Sequence, residues 1–349
     1  MTERDGSDAL RSKAGLAIAM VLATLAVPAS AAETWLHPVL PQSVVKAAPP
    51  VRRGARPSRP PAPPAPLPFP TALSGDSSLV ELTTGARYPE PGSAIAPERI
   101  DRSFVRLGSG RPLPLTSAKA DGAVTRLEAT WAGQGLATLG VLLSPEARTV
   151  EATEFEVFLR EAGATVALAE RTKKKETKKA AKIVAVENAR AFAGILPLPR
   201  SAVTADPAAG LDEPLGLPLE IVAGVPPLPL RAGTILTASV LLDGKPAPGA
   251  VVRAYVPGTE APAALHADAQ GGVSLPLESE GRLLLAVAAV RRTGKADRAR
   301  GEIWKKADWE VQRSTLELLV LPKAPAPTPA PTKAPKGKGA APRPKPKPK

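Results

Sequence analysis

The sequence predicts a mainly β protein: two β-sandwich parts of immunoglobulin-like or transthyretin-like type, joined by a helical segment and followed by a disordered tail. Short runs that alternate between apolar and polar residues recur between Gly-rich or Pro-rich turns in both halves of the chain. Short strands at this spacing are typical of antiparallel sandwiches. One central stretch changes to helical periodicity, which separates the two β parts.

The N-terminus has the layout of a secretory signal peptide. Arg11 and Lys13 precede an apolar run over residues 14–27, and small residues at 29–32 offer a cleavage site. A run of about 14 residues is shorter than the ~20 that a membrane-spanning helix needs. We therefore expect export to the periplasm or another extracytoplasmic compartment and a mature chain that begins near Ala32 or Glu33. An uncleaved N-terminal anchor is the alternative.

Seven segments follow from these patterns. In chain order they are a signal peptide (1–32), the first strand of the mature domain (33–37), a Pro-rich basic insertion (38–75), an N-terminal β-sandwich part (76–150), a helical segment (151–195), a C-terminal β-sandwich domain (196–321) and a disordered Lys/Pro-rich tail (322–349). In the helical segment, Phe155, Phe158 and Leu159 recur at helical spacing, and the helix is expected to continue to about residue 193. In the C-terminal part, the Asp-Gly of LDGKP (242–246) predicts a hairpin, and DAQGG (268–272) predicts another.

The net charge of +13 lies in the two Pro-rich arms, because residues 38–75 contain five basic residues and residues 322–349 contain eight, both without an acid. Pro-rich segments favour extended polyproline II conformation, so we expect a spacer and a tail rather than core elements. The arms have almost no aromatic side chains to stack on bases, which argues against nucleic acid as a partner. Anionic envelope polymers are the partners that such a tail favours outside the cytoplasm.

Side chains for chemistry are few. The chain has no Cys, and its two histidines, His37 and His266, are far apart in sequence. Neither a phosphate-binding loop nor a nucleophile elbow is present. We therefore predict no enzyme activity, no catalytic residues, no cofactor-binding residues and no metal ligands. Trp304 and Trp309 bracket KKAD and have two interpretations, a binding rim or one core and one seam tryptophan.

Several motifs together resemble a bacterial family of exported proteins of unknown function, sometimes labelled periplasmic components of cobalt or nickel uptake. They are AETWLHP (32–38), the Phe155–Gly163 helix pattern, the Leu-Pro-Leu-Glu start at 217–220, LDGKPAPGAVV (242–252), the Asp268/Gly271 turn and ADWE (307–310). The resemblance implies a secreted β-rich protein without an established activity. Nickel or cobalt stays open as a cofactor through this resemblance, although Ala32 stands where the family has its opening His.

Two functions are compatible with these observations. The first is an exported, non-catalytic binding or accessory protein of the cell envelope, linked to cobalt/nickel uptake and to an envelope or transporter complex. The second is a structural envelope protein whose basic tail binds anionic envelope polymers. No second long apolar segment follows the first, so a multi-span membrane protein is not expected.

Overall fold

A computed structural model describes residues 32–39, 71–73, 75–131, 133, 135–196, 210, 212–224 and 230–323. The predicted signal peptide before Ala32, most of the Pro-rich insertion and the predicted tail from residue 324 onward lie outside the described residues. Within the described part of the chain, no helix is long and apolar enough to cross a bilayer.

Strands dominate the described residues. The first half contains β1 (Glu33–Val39), β2 (Thr71–Leu73), β3 (Ser77–Gly85), β4 (Ser93–Ala94), a 3₁₀ turn (Pro97–Arg99), β5 (Ile100–Leu107), β6 (Leu113–Pro114), β7 (Thr116–Asp121), β8 (Val124–Thr130), β9 (Gly135–Leu143) and β10 (Glu146–Val150). The remainder contains α1 (Ala152–Glu161), α2 (Thr165–Lys173), β11 (Ala181–Leu196), β12 (Leu219–Ala223), β13 (Ile235–Leu242), β14 (Lys245–Pro246), β15 (Val251–Tyr255), β16 (Ala263–His266), β17 (Gly272–Pro276), β18 (Gly281–Arg292), α3 (Lys295–Arg298), α4 (Glu302–Lys305) and β19 (Trp309–Val320).

These strands form three sheets. A central sheet of ten strands runs in the order β16-β15-β18-β19-β11-β9-β5-β6, with β10 and β2 also paired to β11. The N-terminal sheet contains β1, β3, β4, β7 and β8, and the C-terminal sheet contains β12, β13, β14 and β17. This arrangement confirms the predicted mainly β fold class with sandwich-like layers. The central sheet also shows that both halves of the chain contribute strands to one shared layer.

The two smaller sheets cover opposite faces of the central sheet. Along β11, Ala189, Ala191 and Ala193 pack in a core with the N-terminal sheet. The alternate residues Arg190 and Phe192 contact the C-terminal sheet or its core. This follows from the two-residue period of a strand. We call the face under the N-terminal sheet the N-face and the opposite one the C-face.

The prediction of helix through the centre of the chain is correct for residues 152–161 and 165–173 and wrong for residues 181–193. Phe155, Phe158 and Leu159 of α1 are buried against Trp309, as their spacing predicts. Residues 181–196, however, form the longest strand, which pairs in parallel with β19 and antiparallel with β9 and β10. Its many alanines have high helix propensity. However, the segment pairs with strands along both edges and is buried on both faces, and this tertiary context overrides the helix preference.

Three other local predictions need correction. The first strand extends beyond residue 37 to Val39. The end of the insertion is not only a spacer, because Thr71–Leu73 pairs with β11 and Ala72 is buried. DAQGG is a turn but not a hairpin, because β16 before it belongs to the central sheet and β17 after it to the C-terminal sheet. LDGKP does form the predicted hairpin between β13 and β14.

Candidate binding cleft

Most residues that the sequence singled out for chemistry are engaged in the fold. His37 is half-buried, and its Nδ1 lies 2.6 Å from Oε1 of Glu317. His266 is exposed at the end of β16. Among the described residues, no group of three or more His, Cys, Asp or Glu is placed to hold a metal ion. The binding-rim interpretation of Trp304 and Trp309 is wrong, because both rings are buried.

A cleft of about 780 Å³ lies beside the N-terminal end of β1. One wall is the loop after β3, residues 86–90, and the other is the end of β15 with the following loop, residues 255–262. Arg282 of β18 forms the floor. We call this feature the tyrosine cleft, because Tyr88 and Tyr255, the chain's two tyrosines, both line it.

The aromatic rings form a continuous contact chain. Trp35 meets Tyr88 edge to face with the centroids 5.4 Å apart, and Tyr88 lies 6.3 Å from Tyr255. Trp35 itself is buried, which confirms the prediction that it docks as part of the first strand. Gly85 permits this packing, since a Cβ there would lie 2.8 Å from the Trp35 ring. The half-buried tyrosines present apolar ring surface to the cleft, whereas the hydroxyl of Tyr88 is buried.

A buried carboxylate organises the floor. Glu317 of β19 is 5% exposed and accepts hydrogen bonds from Nε and Nη2 of Arg282 at 3.2 and 2.8 Å. The Arg282 guanidinium also lies 5.5 Å from the centre of the Tyr88 ring. Because Glu317 also contacts His37, one carboxylate connects the first strand to the floor of the cleft. Charge-assisted bonds of this kind give well-defined geometry.

A second ion pair supports the opposite wall. The carboxylate of Glu33, at the start of β1, pairs with Arg253 of β15, which also contacts Glu161 at 3.2 Å. The hydroxyl of Tyr255 donates to Oε1 of Glu33 at 3.5 Å. The beginning of the predicted mature chain is therefore tied to the strand that carries the second tyrosine.

Both phenols remain neutral. Burial, followed by the nearby negative charge of Glu317, raises the pKa of Tyr88 well above its usual value. Burial also raises the pKa of Tyr255, although the positive charge of Arg253 acts in the opposite direction. The cleft is therefore lined by two neutral aromatic side chains and a guanidinium, without a phenolate.

Sequence reasoning missed this cleft. The signal that was available is that each of the only two tyrosines precedes a proline, as Tyr88-Pro89 and Tyr255-Val256-Pro257. Nothing in that pattern indicates that residues 167 positions apart meet, because the meeting depends on long-range packing such as that of β1 on β19.

Asp308 and Glu310 are two carboxylates close together in sequence, but they do not converge on one site. Glu310 is buried and paired with Arg291 and Arg300, whereas Asp308 is exposed. Residues two apart in sequence share a face when both lie in the same strand. Asp308 precedes β19 and lies outside its alternation.

A family model described as "Domain of unknown function (DUF4198)" matches residues 74–291. No curated protein matches the chain. Among solved structures, the chain is similar to Salmonella alpha-2-macroglobulin (11% identity, 85% of this chain, 15% of that chain, TM-score 0.20). It is also similar to the D0-D1 domain of Intimin (11% identity, 72% of this chain, 95% of that chain, TM-score 0.17). The chain thus spans 15% of the macroglobulin's length, and TM-scores this low support no functional conclusion.

Proposed function

This chain belongs to the DUF4198 family of unknown function, and we propose that it is an exported, non-catalytic binding protein of the cell envelope. The tyrosine cleft is its ligand site. The observation that carries the proposal is the convergence of Tyr88, Tyr255 and Arg282, from three different structural elements, on one cleft of about 780 Å³. Concave sites with aromatic walls and a few placed polar groups are typical of ligand binding.

Export is supported by the signal-peptide pattern and by the position of Glu33. If cleavage occurs near Ala32, the mature chain begins at the strand that carries the Glu33–Arg253 pair. Mass spectrometry of the protein from an envelope fraction should give an N-terminus near Ala32 or Glu33. An intact Met1 on that protein would contradict cleavage.

Binding at the cleft can be tested in living cells with a photo-crosslinking amino acid. Thr259 is exposed on one wall of the cleft, and Ile235 is exposed on the C-terminal sheet and serves as the matched control. We expect a discrete crosslinked product from position 259 and none from position 235. The absence of a product at 259, or the same products from both positions, would overturn the proposal.

A role in cobalt or nickel uptake is the finer form of this proposal. Its support is the sequence resemblance, whereas the Nδ1 atom of His37 is already engaged by Glu317. In this form the protein is an accessory of a transporter complex and the cleft holds the partner. Cells that produce the Tyr88→Ala variant should then take up less nickel or cobalt than cells with the wild-type protein. Equal uptake at equal protein level would reject this form.

A structural role is the second candidate, and the charge of the tail supports it. Residues 322–349 carry eight basic residues and no acid. Each Lys or Arg near an anionic surface contributes about 1 kcal/mol, and salt weakens the attraction. Binding of the full mature chain to acidic lipid vesicles should then decrease steeply with salt and should depend on those residues. Salt-independent binding would contradict this role.

A further inference from the structure

The walls of the tyrosine cleft have the composition of a groove for polyproline II peptides. Tyr88 with Pro89 forms one wall, and Tyr255 with Pro257 and Pro262 forms the other. Extended Pro-rich segments bind between aromatic rings because polyproline II is already ordered and its backbone makes no internal hydrogen bonds. The rings of Tyr88 and Tyr255 supply the aromatic surface for such contacts.

The charges on the walls favour a basic segment. Glu90 is exposed on the first wall and Glu260 on the second. The charge of Arg282 is matched by Glu317. Among the other lining residues, the two exposed carboxylates are opposed by a single cation, Arg87, so negative charge is in excess. A ligand that combines prolines with lysines would complement this pattern.

The chain itself carries a segment of this chemistry, and it leaves the fold next to the cleft. Residues 324–349 contain nine Pro, six Lys and one Arg without an acid. They follow Lys323: Leu321 and Pro322 run beside Leu230 and Arg231, and Val320 just before them, the last residue of β19, pairs with Gly281. Gly281 lies against the cleft wall, since a Cβ there would lie 3.0 Å from Pro257. Leu319 likewise pairs with Arg282, the floor of the cleft.

The length of the segment is sufficient. Its 26 residues would span about 80 Å as polyproline II at ~3.1 Å per residue. This is ample to reach the cleft wall, because Val320 pairs with Gly281, which lies against Pro257. A tether of this kind gives an effective concentration on the order of millimolar, so weak contacts are enough for occupancy.

We propose that the tyrosine cleft binds basic, proline-rich extended peptides and that its resident occupant is the chain's own segment 324–349. This inference rests on the proposed function, because it names the ligand class of the same cleft. A partner that carries a similar segment would have to displace the tail before it binds.

The two tyrosines allow a direct test. Full mature chain labelled with 3-fluorotyrosine should give two fluorine NMR signals, both from the cleft. We expect both signals to shift in a full-length variant whose nine prolines in 324–349 are replaced by Ser. Addition of a synthetic peptide with the wild-type sequence 324–349 should return them toward their original positions, and the serine version of the peptide should not.

Charge reversal on the walls gives a matched comparison. Glu90→Lys and Glu260→Lys should each weaken binding of the wild-type peptide to the proline-substituted chain about two- to fivefold, the range of an exposed ion pair. Glu128→Lys makes the same charge change at an exposed position of β8 outside the cleft and should have no effect.

Three outcomes would overturn the inference. They are fluorine signals that do not respond to the tail substitutions, equal weakening by Glu128→Lys, and shifts that vary with protein concentration, which would indicate the tail of a second copy. If the signals ignore the tail while position 259 still gives a crosslinked partner in cells, the cleft binds another ligand and the proposed function stands. If position 259 also gives no product, the proposed function fails as well.

Discussion

The two faces of the central sheet use the same chemistry in opposite ways. On the C-face, Arg190 of β11 pairs with Glu220 of β12 at 3.0 Å, and the side chains are 1% and 2% exposed. On the N-face, Glu317 pairs with Arg282, whose side chain is 30% exposed. Both pairs join consecutive strands, with partners 30 and 35 residues apart, but only the second borders a cleft.

The C-face pair acts as a closed clamp. The Glu220 carboxylate also accepts hydrogen bonds from the backbone amides of Leu215, Gly216 and Leu217. Burial lowers the pKa of Arg190 to about 10, so the pair remains charged at neutral pH. Its bonding capacity is used within the protein. On the N-face, the Arg282 side chain remains partly open to water. Solvent access therefore distinguishes an ion pair that is purely structural from one that can face a ligand.

The largest expected effect is at the closed clamp. Arg190→Met leaves the buried Glu220 carboxylate without its cation and should lower the free energy of unfolding by about 3–5 kcal/mol. Urea denaturation at neutral pH measures this loss. The double variant Arg190→Met with Glu220→Leu should recover much of the stability, because no buried charge is left unpaired. A smaller loss of stability in Arg190→Met than in the N-face variant Glu317→Gln would contradict the difference between the two faces.

At the cleft floor the expected loss is smaller. Glu317→Gln weakens the charge-assisted bonds to Arg282 and His37 and should cost about 1.5–3 kcal/mol in urea denaturation. It should also move the fluorine signal of labelled Tyr88, because that ring lies beside Arg282. Arg190→Met should leave this signal in place, which separates the faces by a readout other than stability.

A third ion pair, at the edge of the C-face, tests whether the face or the solvent access sets how much an ion pair contributes to stability. Asp297 accepts two hydrogen bonds from Arg291, at 2.8 and 2.7 Å, and the Arg291 side chain is 46% exposed. These bonds, with the amide of Gly294, hold the pKa of Asp297 well below its usual value. The stability is therefore present above the unfolded pKa of about 3.9 and is lost as the pH falls below it.

Asp297→Asn should therefore destabilise by only about 1 kcal/mol at pH 7, since the pair is exposed on its arginine side. The difference from the wild type in urea denaturation should shrink as the pH is lowered from about 5 toward 2, because the Asp297 carboxylate of the unfolded wild type takes up a proton in this range while the folded one stays ionised. A difference that does not change with pH would mean that packing, not charge, accounts for it.

The smallest effect is expected on the walls of the cleft. Glu90→Lys and Glu260→Lys replace exposed side chains and should change the free energy of unfolding by no more than about 0.5 kcal/mol. Thermal denaturation measures this. Unchanged stability together with weaker peptide binding would mean that these carboxylates serve the ligand. A large destabilisation would mean that they serve the fold instead.

The fold class could be predicted from local patterns because strand alternation and turn chemistry are local. The Asp-Gly hairpin at 243–244 is an example, since positive φ at both residues is what that dipeptide tolerates. The strand at 181–196 could not be predicted, because an alanine-rich run with Glu187, Asn188 and Arg190 has no clear period. Its state depends on partners from elsewhere, β9 and β19.

The candidate site shows the same division. Local patterns and composition are enough to predict the mainly β class, the docking of Trp35 in a first strand and the basic, Pro-rich character of residues 324–349. Long-range packing, in contrast, is what places strands of both halves in one sheet, joins His37 to Arg282 through Glu317, and brings Tyr88 to Tyr255. These are contacts between residues far apart in the chain, and they exist only because two sheets pack on opposite faces of a third.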